Sequence, residues 1–155
     1  MSRSGLSYLE KTSQDVFGAS VDVPAALDRR CVEVFLAGGN IDAGDWVALD
    51  TGETGSARSI QVIEAAAVAL GNALTIGVSL DTVVSGEKVR VVTRGYVEGA
   101  KVTTGVALGT PLVVDTTAGR ADAAVAADIA PPCGVTLELA AANLADVYVY
   151  GLSIS

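Results

Sequence analysis

No histidine occurs anywhere in the 155 residues. That removes the usual general base of a hydrolytic triad, the imidazole ligand of metal sites and the side chain that titrates near neutrality. Cysteine is almost as scarce. Cys31 and Cys133 are the only two, they lack CxxC spacing, and without histidine they complete no zinc site. Two separately buried thiols is the reading adopted here, with a disulfide left open by sequence alone. Basic residues number 10 against 18 acidic ones, a net charge of -8. So acidic a chain lacks the lysine and arginine surplus that displaces counterions from nucleic acid or holds a protein on an anionic membrane. The Arg29-Arg30 pair reads as solvated surface. No apolar run is long enough to span a bilayer. The nearest, Ala65 to Leu80, has 16 uncharged residues interrupted by Gly71, Asn72 and Gly77, short of the roughly 20 required. The stretch from Met1 to Phe17 has no apolar core of signal-peptide length. Neither a nucleic-acid nor a membrane partner is expected, and no cofactor.

Aromatics are also few, at 5%, although half the residues are hydrophobic. The core must therefore be assembled from many small Val, Ala and Leu contacts. At roughly 25 cal/mol per Å² these offset chain ordering only when the core is well closed, and burial in a subunit interface would help. The length suits one domain.

What the chain does have is a repeated text. Gly77, Val78 and Leu80 return as Gly134, Val135 and Leu137, and Val89 and Val91 return as Val147 and Val149. Upstream, "CVEVFLAGG" from Cys31 matches "KVRVVTRGY" from Lys88, and "GDWVALDT" from Gly44 matches "GTPLVVDT" from Gly109. Drifting offsets of this kind mark duplicated architecture with loops of unequal length. The expected units are about 31–87 and 88–145, followed by a closing strand at 146–155, all within a β-domain of 27–155. An N-terminal arm of 1–26 precedes them, with apolar anchors Leu6, Tyr8, Leu9, Val16 and Phe17.

Within the units, "EKVRVVTRG" alternates Val89, Val91 and Thr93 with Lys88, Arg90 and Arg94, the pattern of a strand with one buried and one wet face. "DVYVYG" alternates Val147 and Val149 with Tyr148 and Tyr150, which predicts a strand covered on both faces. Glycines punctuate the strands at positions where tight turns favour positive φ. The alanine-rich segments Gln61–Leu70 and Arg120–Ile129 fit either a strand or a short helix. Trp46 is expected in the core. The fold class is all-β, a compact sandwich or barrel (jelly-roll or β-tulip-like) built from two repeated units, with an extended N-terminal arm.

Candidate chemistry is sparse. Asp45, Asp50, Asp81, Asp115, Asp122, Asp128 and Glu138 sit singly, mostly after strands or beside glycines, where aspartate closes turns. Asp50 and Asp115 occupy equivalent repeat positions, as do Asp81 and Glu138, which fits structure better than catalysis. "LAGGN" and "GETGSAR" lack the Gly-Lys-Ser/Thr ending of a P-loop and the following helix of a dinucleotide site. "GGNIDAGDW" resembles the Gly-x-Ile-Asp segment of trimeric dUTPases, in which Asp42 would help hold the sugar and activate water, but that family's other nucleotide-binding motifs are missing.

A wider resemblance covers about residues 41–151. Gly44-Asp45-Trp46-Val47-Ala48-Leu49-Asp50, Ile76-Gly77-Val78-Ser79-Leu80, Gly86-Glu87-Lys88-Val89-Arg90-Val91, Gly95-Tyr96-Val97, Gly109-Thr110-Pro111-Leu112 with Asp115, Gly134-Val135 and Val147-Tyr148-Val149 together resemble small tailed-phage capsid decoration, or cement, proteins. The resemblance implies a non-enzymatic virion component, made in the host cytoplasm and held on the outside of the icosahedral head. There it would be a homotrimer that stabilises contacts between major capsid protein subunits. The arm residues Leu6, Tyr8, Leu9, Val16 and Phe17 would touch the shell or a neighbouring protomer. The alternatives are a phage tail, fibre or surface-adhesion β-module and, behind that, the dUTPase-like hydrolase.

Overall fold

The structure is a computed structural model, and it describes residues 30–66, 74–126, 128 and 130–150. The arm and its five anchors lie outside the described residues. The described chain is all-β: nine strands, one 3-10 turn at Gly55–Ser59 and no α-helix. The strands are β1 (Cys31–Ala37), β2 (Trp46–Leu49), β3 (Gln61–Glu64), β4 (Thr75–Ser79), β5 (Lys88–Lys101), β6 (Pro111–Val114), β7 (Ala121–Ala123), β8 (Gly134–Thr136) and β9 (Leu144–Val149). Their order across the sheet is β1-β3-β2-β4-β5-β9-β8-β6-β7, and β1 also pairs with β5. That last pairing closes β1, β3, β2, β4 and β5 into a five-stranded barrel.

The remaining strands repeat the wiring. β2 pairs antiparallel with β3 and β4, and β6 likewise with β7 and β8. β4 pairs with β5, and β8 with β9. The parallel β1–β3 ladder, with Ala37 opposite Val62, has its counterpart in a parallel bridge between Val102 and Ala121. One strand serves both units. The first half of the 14-residue β5 pairs with β1 and β4, and from Gly95 onward it pairs with β9. The joint between the barrels thus falls inside β5, and the counterpart of β1 is the second half of β5. The sequence match aligned β1 with the first half instead, because any valine-alternating strand matches any other. Hydrogen-bond register, which text does not carry, decides between them.

Two buried clusters follow. The first barrel is filled by Ala37, Ile41, Val47, Val62, Ile76, Val89 and Val91. The second cluster holds the counterparts Val102, Val106, Leu112, Ala121, Cys133 and Val147, together with Trp46, Ala48, Val78 and Val92. Those last four lie on the outer wall of the first barrel, and the second barrel covers them. This is why β2 and β4 are buried on both faces. Val89 and Val91 face the first core while Lys88, Arg90 and Arg94 are exposed, as the alternation predicts, but Val92 on the outward side is fully buried. Each such valine contributes about 1.5–3 kcal/mol.

Gly77 and Gly134 make the close packing possible. A Cβ on Gly77 would collide with the Val92 carbonyl oxygen, and one on Gly134 would lie 2.8 Å from the Tyr148 carbonyl oxygen and 2.9 Å from the Trp46 ring.

Two expectations, on the second face of β9 and on the burial of both thiols, meet a different outcome. Tyr148 and Tyr150 are 38% and 44% exposed, so the second face of β9 is open, since no described segment of this chain packs over it. Cys133 is buried and Cys31 exposed, and both are free. The described parts of the alanine-rich segments take the strand alternative, as β3 between β1 and β2 and β7 at the sheet edge beside β6, and hold no helix.

Candidate functional site

The carboxylates singled out in the sequence are spent on the backbone. Asp81 Oδ2 accepts the Arg90 N–H at 3.0 Å, and Glu138 Oε1 accepts the Asp146 N–H at 3.0 Å, in the same place of each unit. Asp50 Oδ1 accepts from Gly52 N and Asp115 Oδ1 from Thr116 N. Asp122 and Asp128 accept from the N–H groups of Ala123 and Val125. These are the turn contacts that a short acidic side chain makes with nearby amides. Two of them also hold arginine: Asp81 with Arg90 and Asp115 with Arg120, each at 2.6 Å. Hydrogen bonding to Arg90 is the main cause that lowers the Asp81 pKa. At Asp115 burial pushes upward, but the bonds from Arg120 and Thr116 outweigh it and the net shift is down.

The most buried charge among the described residues lies where the barrels meet. Asp45 is 0% exposed. Its Oδ2 accepts the Asp42 N–H at 2.7 Å. Its Oδ1 has no well-angled hydrogen-bond donor but lies 2.7 Å from Lys101 Nζ, so the contact is chiefly ionic. Lys101 also reaches Asp42 Oδ2 at 3.3 Å. Burial alone would lower the Lys101 pKa, yet Asp45 and Asp42 raise it overall. The pKa of Glu64, at the end of β3, is raised by burial and then by the neighbouring Asp45. Backbone bonds converge on the same spot. Lys101 N donates to Gly44 O, Trp46 N to Gly119 O, and Gly119 N to Ala65 O, while Trp46 Nε1 donates to Lys101 O at 3.1 Å. The cluster is a clasp between the two units. Asp42, the candidate of the dUTPase-like reading, is 65% exposed and tied to this clasp. The repeat pattern drew attention to Asp45 but missed Glu64 and Lys101, whose counterparts carry no matching charge.

Two open clefts of about 400 Å³ flank the first barrel. One is lined by Leu49, Asp50, Thr51, Arg58 and Leu74, the other by Cys31, Glu33, Phe35, Ile76, Thr93, Arg94 and Tyr150. Each has one carboxylate among its lining residues, so neither assembles a carboxylate pair. Among the described residues no group of three or more Cys, Asp and Glu side chains is placed to hold a metal ion.

The other feature is a surface. Tyr96 lies opposite Tyr148 on β9, and Tyr148 opposite Val135 on β8. The Tyr148 and Tyr150 ring centroids are 6.4 Å apart. Tyr96 donates its hydroxyl proton to Asp146 Oδ2 at 2.7 Å. That bond, then burial, then the charges of Asp146, Glu98 and Glu138 push its pKa up to about 12. Three of the four tyrosines in the chain therefore share one outward face. The "YVY" alternation was the available signal.

No protein-family model matches the chain, and no curated protein matches it. Among solved structures it is similar to the N base of head fibre gp8.5 of bacteriophage phi29, with a TM-score of 0.55 and 17% identity over 77% of this chain and 93% of that one. At that identity the likeness is one of fold.

Proposed function

We propose that this chain is a structural, non-enzymatic component of a tailed-phage head. On this reading it is a cement protein on the outer capsid surface that binds as a homotrimer and ties neighbouring major capsid protein subunits together. The observation that carries the reading is the shared fold with the head-fibre base, which spans 93% of that module. The geometry is compatible: the conspicuous carboxylates serve turns and the clasp, and the open aromatic face suits contact with protein. Multivalent attachment supplies the mechanism. Once one subunit of a trimer is held, the others engage at high effective concentration, so avidity exceeds a single affinity by roughly 10²–10⁴.

The test is an electron-microscopy map of purified particles with and without the protein. Density on the outer head surface, together with greater resistance of the loaded particles to heat, is the expected result. Particles that take up none of it would sink the reading. Deletion of residues 1–26 should weaken attachment while leaving the β-domain folded.

A second reading, the base of a head-borne fibre, is favoured by the likeness in fold to a head-fibre base. A rod of density rising from each attached domain would select it over the cement reading.

A further inference from the structure

The internal repeat offers a direct comparison. In the first unit, Trp46, Val78 and Val92 form a row across β2, β4 and β5, and all three are fully buried beneath the second barrel. The same register in the second unit gives Pro111, Val135 and Tyr148 across β6, β8 and β9. Pro111 is exposed, Val135 half-buried and Tyr148 38% exposed. Beside this row stand Tyr150, Tyr96 and Leu137, the last 42% exposed. A wall that the fold covers once with its own kind is thus left uncovered by the described residues at its second occurrence.

The first barrel has a matching face. On β1, Val32 and Val34 are 41% and 61% exposed, where a water-facing strand ordinarily carries polar side chains. Next to them on β5 stand Lys88 and Arg90, with Val34 opposite Arg90. The second wall is aromatic and rimmed by Glu98, Glu138 and Asp146; the β1 face is aliphatic and flanked by Lys88 and by Arg90, the latter already paired with Asp81. Apolar centres with opposite charge at their rims are what complementary protein surfaces present.

We propose that the Pro111–Val135–Tyr148 wall of one copy receives the Val32–Val34 face of a second copy, head to tail. This inference rests on the self-association part of the function proposed above. Because the two faces differ, the contact is heterologous, and it ends in a closed ring when the rotation between copies divides a full turn.

Sedimentation of the full chain over a range of concentrations tests it. Tyr148→Asp and Val34→Asp, both at exposed sites and checked for an unchanged melting temperature, should each weaken self-association by at least about tenfold. Lys88→Glu should also weaken it, and adding Glu98→Lys in the same chain should restore it in part. Wild-type protein that stays monomeric would overturn both this contact and the homotrimer. Wild-type protein that associates while Tyr148→Asp associates equally well would overturn this contact alone. So would a Tyr148→Asp variant that assembles normally but no longer binds particles, since the wall would then belong to the shell.

Discussion

Val47 and Leu112 stand at the same register in the two barrels, opposite Gly77 and Gly134, and both are fully buried. One position earlier the units part. Trp46 is inserted into the second barrel, whereas its counterpart Pro111 faces outward. The first barrel closes through a six-pair β1–β5 ladder and a parallel β1–β3 ladder. In the second, the parallel closure shrinks to the single Val102–Ala121 bridge, and the interior is completed by the wall and indole of the first. The difference teaches that duplicated strands need not make two self-sufficient barrels. One copy can act as scaffold and the other as cap, and the joint between them becomes the most sensitive part of the molecule.

Substitution at paired positions can break or sharpen this contrast. The largest effect is expected for Gly77→Ala, because the new methyl group overlaps the Val92 carbonyl oxygen far more deeply than any contact at Gly134. Gly134→Ala meets the Tyr148 carbonyl and the Trp46 ring at 2.8 and 2.9 Å, so it should cost less. Urea unfolding should show a loss above about 4 kcal/mol for Gly77→Ala. Equal losses at both sites would contradict the scaffold-and-cap picture.

Next comes Trp46→Ala, which empties the joint and should cost about 3–5 kcal/mol, while Pro111→Ala stays within about 0.5 kcal/mol. Comparable melting temperatures for the two would show that the joint does not depend on the indole. Asp45→Asn removes the buried partner of Lys101. Since Lys101 keeps one-third of its side chain in water, the expected loss is about 1–3 kcal/mol, below the full penalty for stranding a buried charge.

The smallest effect concerns Glu64, whose counterpart in the second barrel is the uncharged Ala123. Its folded-state pKa is raised above the ordinary 4.5, so the folded protein holds its proton more tightly than the unfolded chain does. The resulting stabilisation is present below the ordinary value and is lost as pH rises through the folded one. Glu64→Gln should therefore raise the melting temperature slightly at neutral pH, with the gain shrinking towards acid. A gain that grew on acidification would reverse the assignment.

Much of this architecture was legible in the text, for identifiable reasons. The β class followed from valine alternation, and the counterpart turns followed from Asp81 with Glu138, whose carboxylates bond equivalent amides, and from Asp50 with Asp115, each bonded to an amide of its own turn. Such features are local, and a strand's two-residue period or an aspartate's reach to a nearby amide survives without tertiary context. The clasp was not legible. Asp45 and Lys101 are 56 residues apart in sequence, and no local pattern links them. Nor was the exposure of Tyr148, because alternation says that two faces differ and leaves open what covers either one.

By itself, then, the sequence determined the strands and their turns, since these depend on side chains within a few residues of one another. Only the tertiary structure decided that β5 is shared, that Trp46 crosses from one unit into the core of the other, and that the second wall stays open. Hydrogen-bond register and burial are properties of segments brought together from far apart, and the free energy that selects among pairings resides in the assembled core.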